Sequence, residues 1–322
     1  MDKIIECVAN FSDGASESYR EVLENAVTIG NQSKFLHLEN NQQAGRSVIT
    51  FAGSPEGVLK AALGLAEEVF SRIDMRQQIG EHPRIGALDV CPFVPILNST
   101  IEECDQIAGE FAELVSKKYD LPVYLYRDSA RTELRKSLAR IRKGGYQGLE
   151  EKLQLPEWQP DFGPSEFNAR LGATIVGARP ILIAWNFSLE GADLALCKTV
   201  AKSVRSKFDT VRAIGWTMKE EFGLNQISCN FEDFLETSPK DCLDYIESII
   251  QNKTAEVIAS EVIGLVPARA IADELPRGLE FSYDILSRIE SSAQRLKVKD
   301  YSENMILEKK MASLVNKTSQ IL

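Results

Sequence analysis

A histidine, the residue type best suited to proton transfer near neutral pH, lies in the proline- and glycine-containing stretch Gly80-Glu81-His82-Pro83-Arg84-Ile85-Gly86. An apolar run that predicts a strand, Ile85–Val94, follows at once, so a rigid turn would present the imidazole at the mouth of a strand. Because the unperturbed pKa of histidine is about 6.5, a ring fixed there could both accept and donate a proton. The alternative is a hydrogen-bonded structural histidine, which a lone histidine without further pattern favours.

Basic residues between Arg127 and Lys143 could bind an anionic ligand. Arg127, Arg131 and Arg135 are spaced four residues apart, so on a helix they would share one face and could hold carboxylates through paired hydrogen bonds. Lys152, Arg170 and Arg179 follow in the sequence and could extend such a pocket. The alternative is a solvated face, which is the usual role of a charge run.

Two polar segments could contact a ligand. Asn10-Phe11-Ser12-Asp13-Gly14 follows a predicted strand, where N–H groups can meet an anion, although capping of the next helix explains the same residues equally well. The segment from Asp161-Phe162-Gly163-Pro164-Ser165 to Gly172-Ala173-Thr174 combines flexible backbone with an aromatic ring and Arg170. It suits either a flat heteroaromatic ligand or a linker between two lobes.

A thiol offers a second possible chemistry, with Cys91 as nucleophile and His82 as its base. If the strand begins at Ile85, the two side chains are far apart, because each strand residue advances about 3.3 Å. The six cysteines contain no Cys-x-x-Cys pair, which argues against zinc and against a disulfide framework.

Composition places the chain among ordinary globular proteins. Its 322 residues suit two domains or one large α/β unit with two lobes, and 44% of them are hydrophobic and 26% charged. A net charge of −10 argues against a nucleic-acid surface. The first residues lack a basic region leading into an apolar one, and no apolar run approaches the ~18 residues of a membrane span, so we expect a cytoplasmic protein without a membrane partner.

Apolar periodicity predicts one order of elements twice. The first copy consists of a strand at Ile4–Asn10, a helix from about Ser16 to Ala26, a hairpin of Lys34–Glu39 and Ser47–Ala52, a helix starting at Ser54-Pro55, and the strand at Ile85–Val94. A helix at Thr100–Tyr119, a strand at Val123–Tyr126 and a long connection over Glu150–Gly177 follow. The second copy consists of strands at Ile181–Phe187, Val211–Met218, Gln226–Phe231 and Glu256–Val262, with helices over Gly191–Lys207 and Ser238–Asn252. We therefore predict an α/β (α+β) fold of two related βαββαβ lobes with a cleft between them, followed by a largely helical tail, Phe281–Leu322.

Several motifs together resemble those of the glutamate formimidoyltransferases, the folate-dependent transferases of histidine degradation and one-carbon metabolism. They run from the first strand to about residue 270 and are Glu6-Cys7-Val8-Ala9-Asn10-Phe11-Ser12-Asp13-Gly14, the stretch from Gly80 to Pro95, Pro122-Val123-Tyr124-Leu125-Tyr126, Pro160-Asp161-Phe162-Gly163-Pro164, Gly172-Ala173-Thr174-Ile175-Val176-Gly177-Ala178-Arg179 and Ser260-Glu261-Val262-Ile263-Gly264-Leu265-Val266-Pro267.

The resemblance implies two subdomains, residues 1–178 and 179–322 with its helical tail, flanking a folate-binding groove in a homodimer. It implies His82 as the catalytic acid and base, with Glu39 as a second catalytic residue, and no metal. It implies tetrahydrofolate as co-substrate and N-formimidoyl-L-glutamate as donor. The implied folate-binding segment is Gly163, Pro164, Ser165, Glu166, Phe167, Asn168, Ala169, Arg170, Leu171 and Gly172.

Three positions depart from the family pattern. Glu39 replaces the usual Asp, Gly45 stands before Arg46-Ser47-Val48 where the family has Asn, and Ala9 replaces Pro. The departures keep open a divergent folate-binding paralogue without catalysis as the alternative to the transferase.

Overall fold

A computed structural model describes residues 3–13, 17–42, 44–80, 82–217, 224–251, 253–275, 281–312 and 314. Contacts within the chain divide it into two compact units, Met1–Arg179 and Pro180–Leu322. In the part of the chain so described, no helix is both long and apolar enough to cross a bilayer.

The first unit is a mixed sheet with helices packed on it. Its described strands and α-helices are β1 (Ile4–Phe11), α1 (Glu17–Val27), β2 (Ser33–Asn41), β3 (Arg46–Gly53), α2 (Pro55–Arg72), β4 (Leu88–Leu97), α3 (Ile101–Tyr119), β5 (Val123–Leu125), α4 (Leu138–Arg142), α5 (Leu149–Leu153) and β6 (Thr174–Ala178). Short 3-10 helices lie at Arg127–Ser129, Glu133–Lys136, Tyr146–Gly148 and Pro156–Trp158.

The strand order of this sheet is β2-β3-β1-β4-β6-β5. The β2, β3, β1 and β4 neighbours are antiparallel, whereas β6 lies parallel to both β4 and β5. Alternate residues of β1, including Cys7 and Phe11, point into a core formed with α1, α2 and α3. A second core covers the opposite face of β4, β6 and β5 with Ile141 of α4 and Leu149 of α5, and so brings these short helices next to the sheet.

The second unit repeats the first four-strand arrangement. Its described elements are β7 (Ile183–Glu190), α6 (Leu194–Lys207), β8 (Val211–Thr217), β9 (Asn225–Phe231), α7 (Pro239–Ile250), β10 (Glu256–Ile263), α8 (Ala268–Ile271), α9 (Tyr283–Arg295), a 3-10 helix at Glu303–Met305 and α10 (Leu307–Met311). The order β10-β7-β9-β8 matches β4-β1-β3-β2, and all its neighbours are antiparallel. The predicted double βαββαβ order is confirmed, and it is the split βαβ arrangement in both units.

Local sequence explains where the main helices begin. Ser54 caps α2 through the backbone N–H of Gly57, and Pro55 occupies the first helical position. Thr100 and Glu103 form a capping box at the start of α3, and Ser238 and Asp241 do the same for α7.

Three predictions about elements need correction. The connection predicted over residues 150–177 contains the internal strand β6, whose Thr-Ile-Val core is flanked by glycines that resemble loop residues. The strand predicted from Ile85 begins at Leu88, because Ile85–Ala87 pairs with another loop instead. Arg127, Arg131 and Arg135 do not share a helix face, since residues 127–129 and 133–136 form two separate 3-10 turns.

Several predicted features lie outside the described residues. These are Gly14 of the first turn, the helix start at Ser16, Glu81 of the histidine motif, Met218, Asn252, and residues 313 and 315–322 of the tail.

Candidate active site

The segment that carries His82 packs against the loop between β2 and β3. The backbone N–H of His82 donates to the carbonyl of Ala44 at 3.3 Å, and Nη1 of Arg84 lies 3.4 Å from the carbonyl oxygens of Ala44 and Gly45. A Cβ on Gly45, whose φ is +59°, would lie 2.4 Å from the carbonyl oxygen of Ile79, and a Cβ on Gly80 would lie 2.4 Å from that of Ala44. Two glycines therefore allow the close approach that fixes the histidine segment.

The His82 ring is held by a residue of β3. Nη1 of Arg46 lies 2.5 Å from Nε2 of His82. Because a guanidinium can only donate, Nε2 must be the acceptor, and the ring proton of the neutral imidazole is on Nδ1. Nδ1 is buried and has no hydrogen-bond partner among the described residues.

The surroundings of His82 favour its neutral form. Burial lowers the pKa of the imidazole to about 3, and the positive charges of Arg46, Arg142 and Arg84 act in the same direction, while the Pro83 backbone acts against them. Burial and the charge of Arg142 also lower the pKa of Arg46 to about 10, which leaves the guanidinium charged at neutral pH. His82 is therefore a neutral hydrogen-bond acceptor in a cationic environment.

Arg142 reaches this cluster from α4 and is fixed by a buried carboxylate. Its Nε and Nη2 donate to Oδ2 of Asp89 at 2.9 and 2.5 Å. The other carboxylate oxygen of Asp89 accepts the backbone N–H of Ile85 at 2.8 Å. One side chain of β4 thus fixes both an arginine near His82 and the backbone three residues after it.

Among the residues that the structure describes, positive charge is in excess around the imidazole. Arg46, Arg84 and Arg142 act on His82, and the charge of Asp89 is engaged by Arg142. Within the described ranges, Arg46 forms no ion pair with a carboxylate. A carboxylate-bearing ligand fits this charge distribution.

Glu39, the second predicted catalytic residue, lies on β2 at the edge of the cluster. Its Oε2 is 3.1 Å from Nε2 of His37, and its charge raises the pKa of Arg46. The structure therefore places Glu39 beside the other histidine of the chain, near Arg46. Its catalytic role stays a prediction.

The predicted folate-binding segment ends against the backbone that follows His82. The N–H of Ala87 donates to the carbonyl of Leu171 at 2.9 Å, and the N–H of Ala173 donates to that of Ile85 at 3.1 Å. Gly172 has φ +73°, and a Cβ there would lie 2.1 Å from the carbonyl oxygen of Ile85. The two segments that the sequence singled out are thus adjacent.

The middle of this segment is fixed by its own polar groups. Asn168 accepts the N–H of Leu171 at 2.9 Å, Tyr146 donates to the carbonyl of Ala169 at 2.5 Å, and Nη2 of Arg170 donates to the carbonyl of Ser71 at 2.8 Å. The Phe167 ring packs on Tyr146 with centroids 5.4 Å apart. A shallow concave surface is lined by Asp120, Pro164, Glu166, Phe167 and Asn168.

Arg131 and Arg135 both contact the chain near Asp161 instead of sharing a helix face. Nη1 of Arg135 is 2.6 Å from Oδ2 of Asp161, and both side chains are buried. Arg131 stacks over the ring of Phe162 at 4.9 Å. Arg131 and Arg135 thus contact Asp161 and Phe162, directly before the predicted folate segment.

The turn after β1 also contacts the histidine segment. Ser12 donates its hydroxyl to the carbonyl of Gly86 at 2.7 Å, and its N–H to that of Ala87 at 2.8 Å. Ser12 thus uses its hydrogen bonds to join two loops, rather than to bind an anion or cap a helix.

Cys91 cannot act as the predicted alternative nucleophile. Its side chain is fully buried in the core beneath the helices, with Sγ 3.6 Å from Sγ of Cys7. A thiol without access to solvent or substrate cannot attack a substrate. The thiol interpretation is therefore wrong.

Sequence reasoning missed Arg46, Asp89 and Arg142 as neighbours of His82. A charged residue inside the apolar run Leu88–Leu97 was a usable signal for Asp89, since an unpaired buried carboxylate is costly. Arg142 gave no such signal, because its position depends on how α4 packs over the sheet.

Comparisons with known proteins agree with this architecture. Residues 4–179 match the family described as formiminotransferase domain, N-terminal subdomain, and residues 186–276 match the formiminotransferase domain. The chain is 36% identical to a glutamate formimidoyltransferase of Streptococcus pyogenes, covering 85% of this chain and 92% of that protein. It is 31% identical to a glutamate formimidoyltransferase of Thermoplasma acidophilum, covering 97% and 99%.

Longer relatives also match. The chain is 40% identical to a formimidoyltransferase-cyclodeaminase of Gallus gallus, covering 85% of this chain and 52% of that protein, so it spans about half the length of such relatives. Both family matches and the shorter relatives lead to one assignment. This chain belongs to the formiminotransferase domain family.

Proposed function

We propose that this chain transfers the formimidoyl group from N-formimidoyl-L-glutamate to N5 of tetrahydrofolate and releases glutamate. The observation that carries the proposal is a neutral, half-buried His82 among three arginines, next to the backbone of residues 171–173. Membership of the family and the names of the shorter relatives support the same reaction.

His82 performs the proton transfers in this proposal. Attack by N5 on the formimidoyl carbon forms a tetrahedral intermediate, and N5 must lose its proton to the neutral imidazole. The protonated ring then donates that proton to the glutamate nitrogen as the carbon–nitrogen bond breaks. Acid–base help of this kind contributes about 10²- to 10⁴-fold to a rate.

The cationic cluster binds a carboxylate of the donor. Arg46 projects toward His82, so an anion paired with it would place the adjacent formimidoyl group near the ring. Holding both substrates in reactive geometry supplies a further part of the rate enhancement. Glu39, two residues from His37 on β2, is retained as a catalytic residue that orients the cluster through its charge.

Folate contacts the segment from Gly163 to Gly172. The half-buried Phe167 ring and the carboxylates of Asp120 and Glu166 suit a flat ring with N–H donors. In this proposal residues 1–178 and 179–322 are the two subdomains of the transferase. A homodimer in the cytoplasm, working in histidine degradation and one-carbon metabolism, completes the proposal.

The test is release of glutamate from N-formimidoyl-L-glutamate by the purified full chain, with and without tetrahydrofolate. We expect release that requires both substrates. Folate binding without glutamate release would instead support the non-catalytic paralogue, which the names of the relatives do not favour.

A further inference from the structure

The lone pair that His82 needs in order to accept a proton is already in use. Nε2 accepts a hydrogen bond from Nη1 of Arg46 at 2.5 Å, and Nδ1 carries the ring proton. An imidazole in this state has no free basic nitrogen. For His82 to act as a base, the guanidinium must first leave Nε2.

We propose that Arg46 is a positioning residue that occupies Nε2 of His82 until a carboxylate of the substrate pairs with its guanidinium, so that the ring accepts a proton only after the substrate is bound. This inference rests on the proposed function. It adds a role for Arg46 and an order of events, namely carboxylate binding first and proton transfer second.

Arg46 is the arginine of the cluster that contacts the His82 ring directly. Arg142 is held by two hydrogen bonds to Asp89, and Arg84 contacts backbone carbonyls of the adjacent loop. Arg46 donates to a neutral ring nitrogen and, within the described residues, has no carboxylate partner. Pairing with a carboxylate would replace one bond to an uncharged acceptor by a two-pronged bond between opposite charges, which is the stronger arrangement for a guanidinium.

Charged groups on several described elements act on the pair formed by His82 and Arg46. Arg46 of β3, Arg142 of α4 and Arg84 of the histidine segment lower the pKa of His82, and Asp89 of β4 and Glu39 of β2 raise the pKa of Arg46. His37 of β2 pairs with Glu39. A bound carboxylate offsets the charge of Arg46 and therefore stabilises the imidazolium that forms during the reaction.

One proton passes from tetrahydrofolate to the glutamate nitrogen through the His82 ring, so the reaction needs no further proton donor or acceptor. The carboxylate draws the guanidinium away, and Nε2 takes the proton from N5 as the bond from N5 to the formimidoyl carbon forms. Nε2 then returns the proton to the glutamate nitrogen as its bond to that carbon breaks. The ring ends neutral, and Arg46 can return to Nε2 once glutamate leaves.

Histidine NMR tests this directly, because the chain has only two histidines and a His82→Asn variant assigns their signals. Nitrogen shifts should report the Nδ1–H tautomer of His82 in the free protein. We expect L-glutamate to raise the pH midpoint of His82 by about one unit or more, and the neutral analogue glutaramide to leave it unchanged. An unmoved midpoint at the highest attainable glutamate concentration would overturn the inference.

An Arg46→Gln variant, titrated with and without glutamate, is compared with the wild type. Its free-state midpoint should already lie above that of the wild type, and glutamate should move it little. Arg212→Gln removes an exposed arginine of the other unit, paired with Glu232, and should respond to glutamate like the wild type. A full glutamate response in Arg46→Gln would contradict the proposal.

The outcome of the His82 titration can be distinguished from misfolding of a variant and from failure of the proposed transferase reaction. If Arg46→Gln fails to fold by circular dichroism, the wild-type titration still decides the question, because an unmoved His82 midpoint overturns the inference. Arg46→Lys then serves as the second variant. If folate-dependent glutamate release occurs but the His82 midpoint does not move, only the inference about Arg46 fails. If release never occurs, the proposed function fails whatever the titration shows.

Discussion

The carboxylate of Asp89 accepts both Nε and Nη2 of Arg142, at 2.9 and 2.5 Å, across 53 residues of sequence. The side chains are 3% and 13% exposed, so the pair is largely shielded from water. It ties α4 to β4 and holds a second positive charge near His82. Removing one partner of such a pair leaves the other as an unpaired buried charge.

Asp89→Asn should therefore lower the free energy of unfolding by about 3 kcal/mol, because the substituted amide keeps an acceptor for the Ile85 N–H but leaves Arg142 without its counter-charge. Urea unfolding followed by circular dichroism measures the change.

Asp74→Asn is the control for this substitution. Asp74 forms an ion pair with Arg76, whose side chain is 60% exposed. Exposed ion pairs contribute little to the free energy of unfolding. The control should unfold near the wild-type midpoint. Equal losses of unfolding free energy in both variants would show that the buried Asp89–Arg142 pair stabilises the protein no more than the exposed pair does.

Gly45→Ala should displace the His82 segment. The added Cβ would lie 2.4 Å from the carbonyl oxygen of Ile79, in addition to the strain of an alanine at φ +59°. Gly30 has a similar φ of +51° and open space around it, so Gly30→Ala introduces the strain without the clash. We expect Gly45→Ala to cost about 1–3 kcal/mol more than Gly30→Ala, the range for overpacking.

Activity separates the two glycine variants further. Gly45→Ala should lower the rate of glutamate release, whereas Gly30→Ala should keep it. Unequal stability with equal activity would mean that the β2–β3 loop does not position His82.

Glu308 should make stability depend on pH. It is 4% exposed, accepts the N–H of Ala268, and burial raises its pKa to about 7. Because the folded protein then binds this proton more tightly than the unfolded chain does, stability should fall as the pH rises from about 4.5 to about 7. The loss amounts to roughly 3 kcal/mol.

Glu308→Gln should remove this dependence, so that the wild type loses stability relative to the variant across that range. Glu303→Gln, which changes a more exposed carboxylate of the same tail, should follow the wild type. Urea midpoints of the three proteins at a series of pH values provide the test, and parallel curves would show that Glu308 ionises freely.

Much of the fold followed from local patterns, because caps and apolar periodicity act within a few residues. Ser54-Pro55 and Thr100 mark helix starts in the sequence as in the structure. Strand β6 was missed because Gly172 and Gly177 made its apolar run resemble a loop, whereas both glycines allow close backbone contacts.

The site was only partly predictable for a different reason. His82 and residues 163–172 could be selected by motif, but Arg46 and Arg142, the latter held by Asp89, come near His82 only because three separate elements pack together. Equal spacing of Arg127, Arg131 and Arg135 predicted a helix face, but the buried pair of Arg135 with Asp161 shows that tertiary packing decided instead.

The most direct test of the account compares His82→Gln with the wild type in both folate binding and glutamate release. Because the proposed mechanism gives His82 the proton transfers and no contact that holds the folate ring, we expect the variant to bind tetrahydrofolate nearly as well and to release glutamate at least about 10²-fold more slowly. Wild-type turnover by His82→Gln would contradict the acid–base role of this histidine and the mechanism built on it.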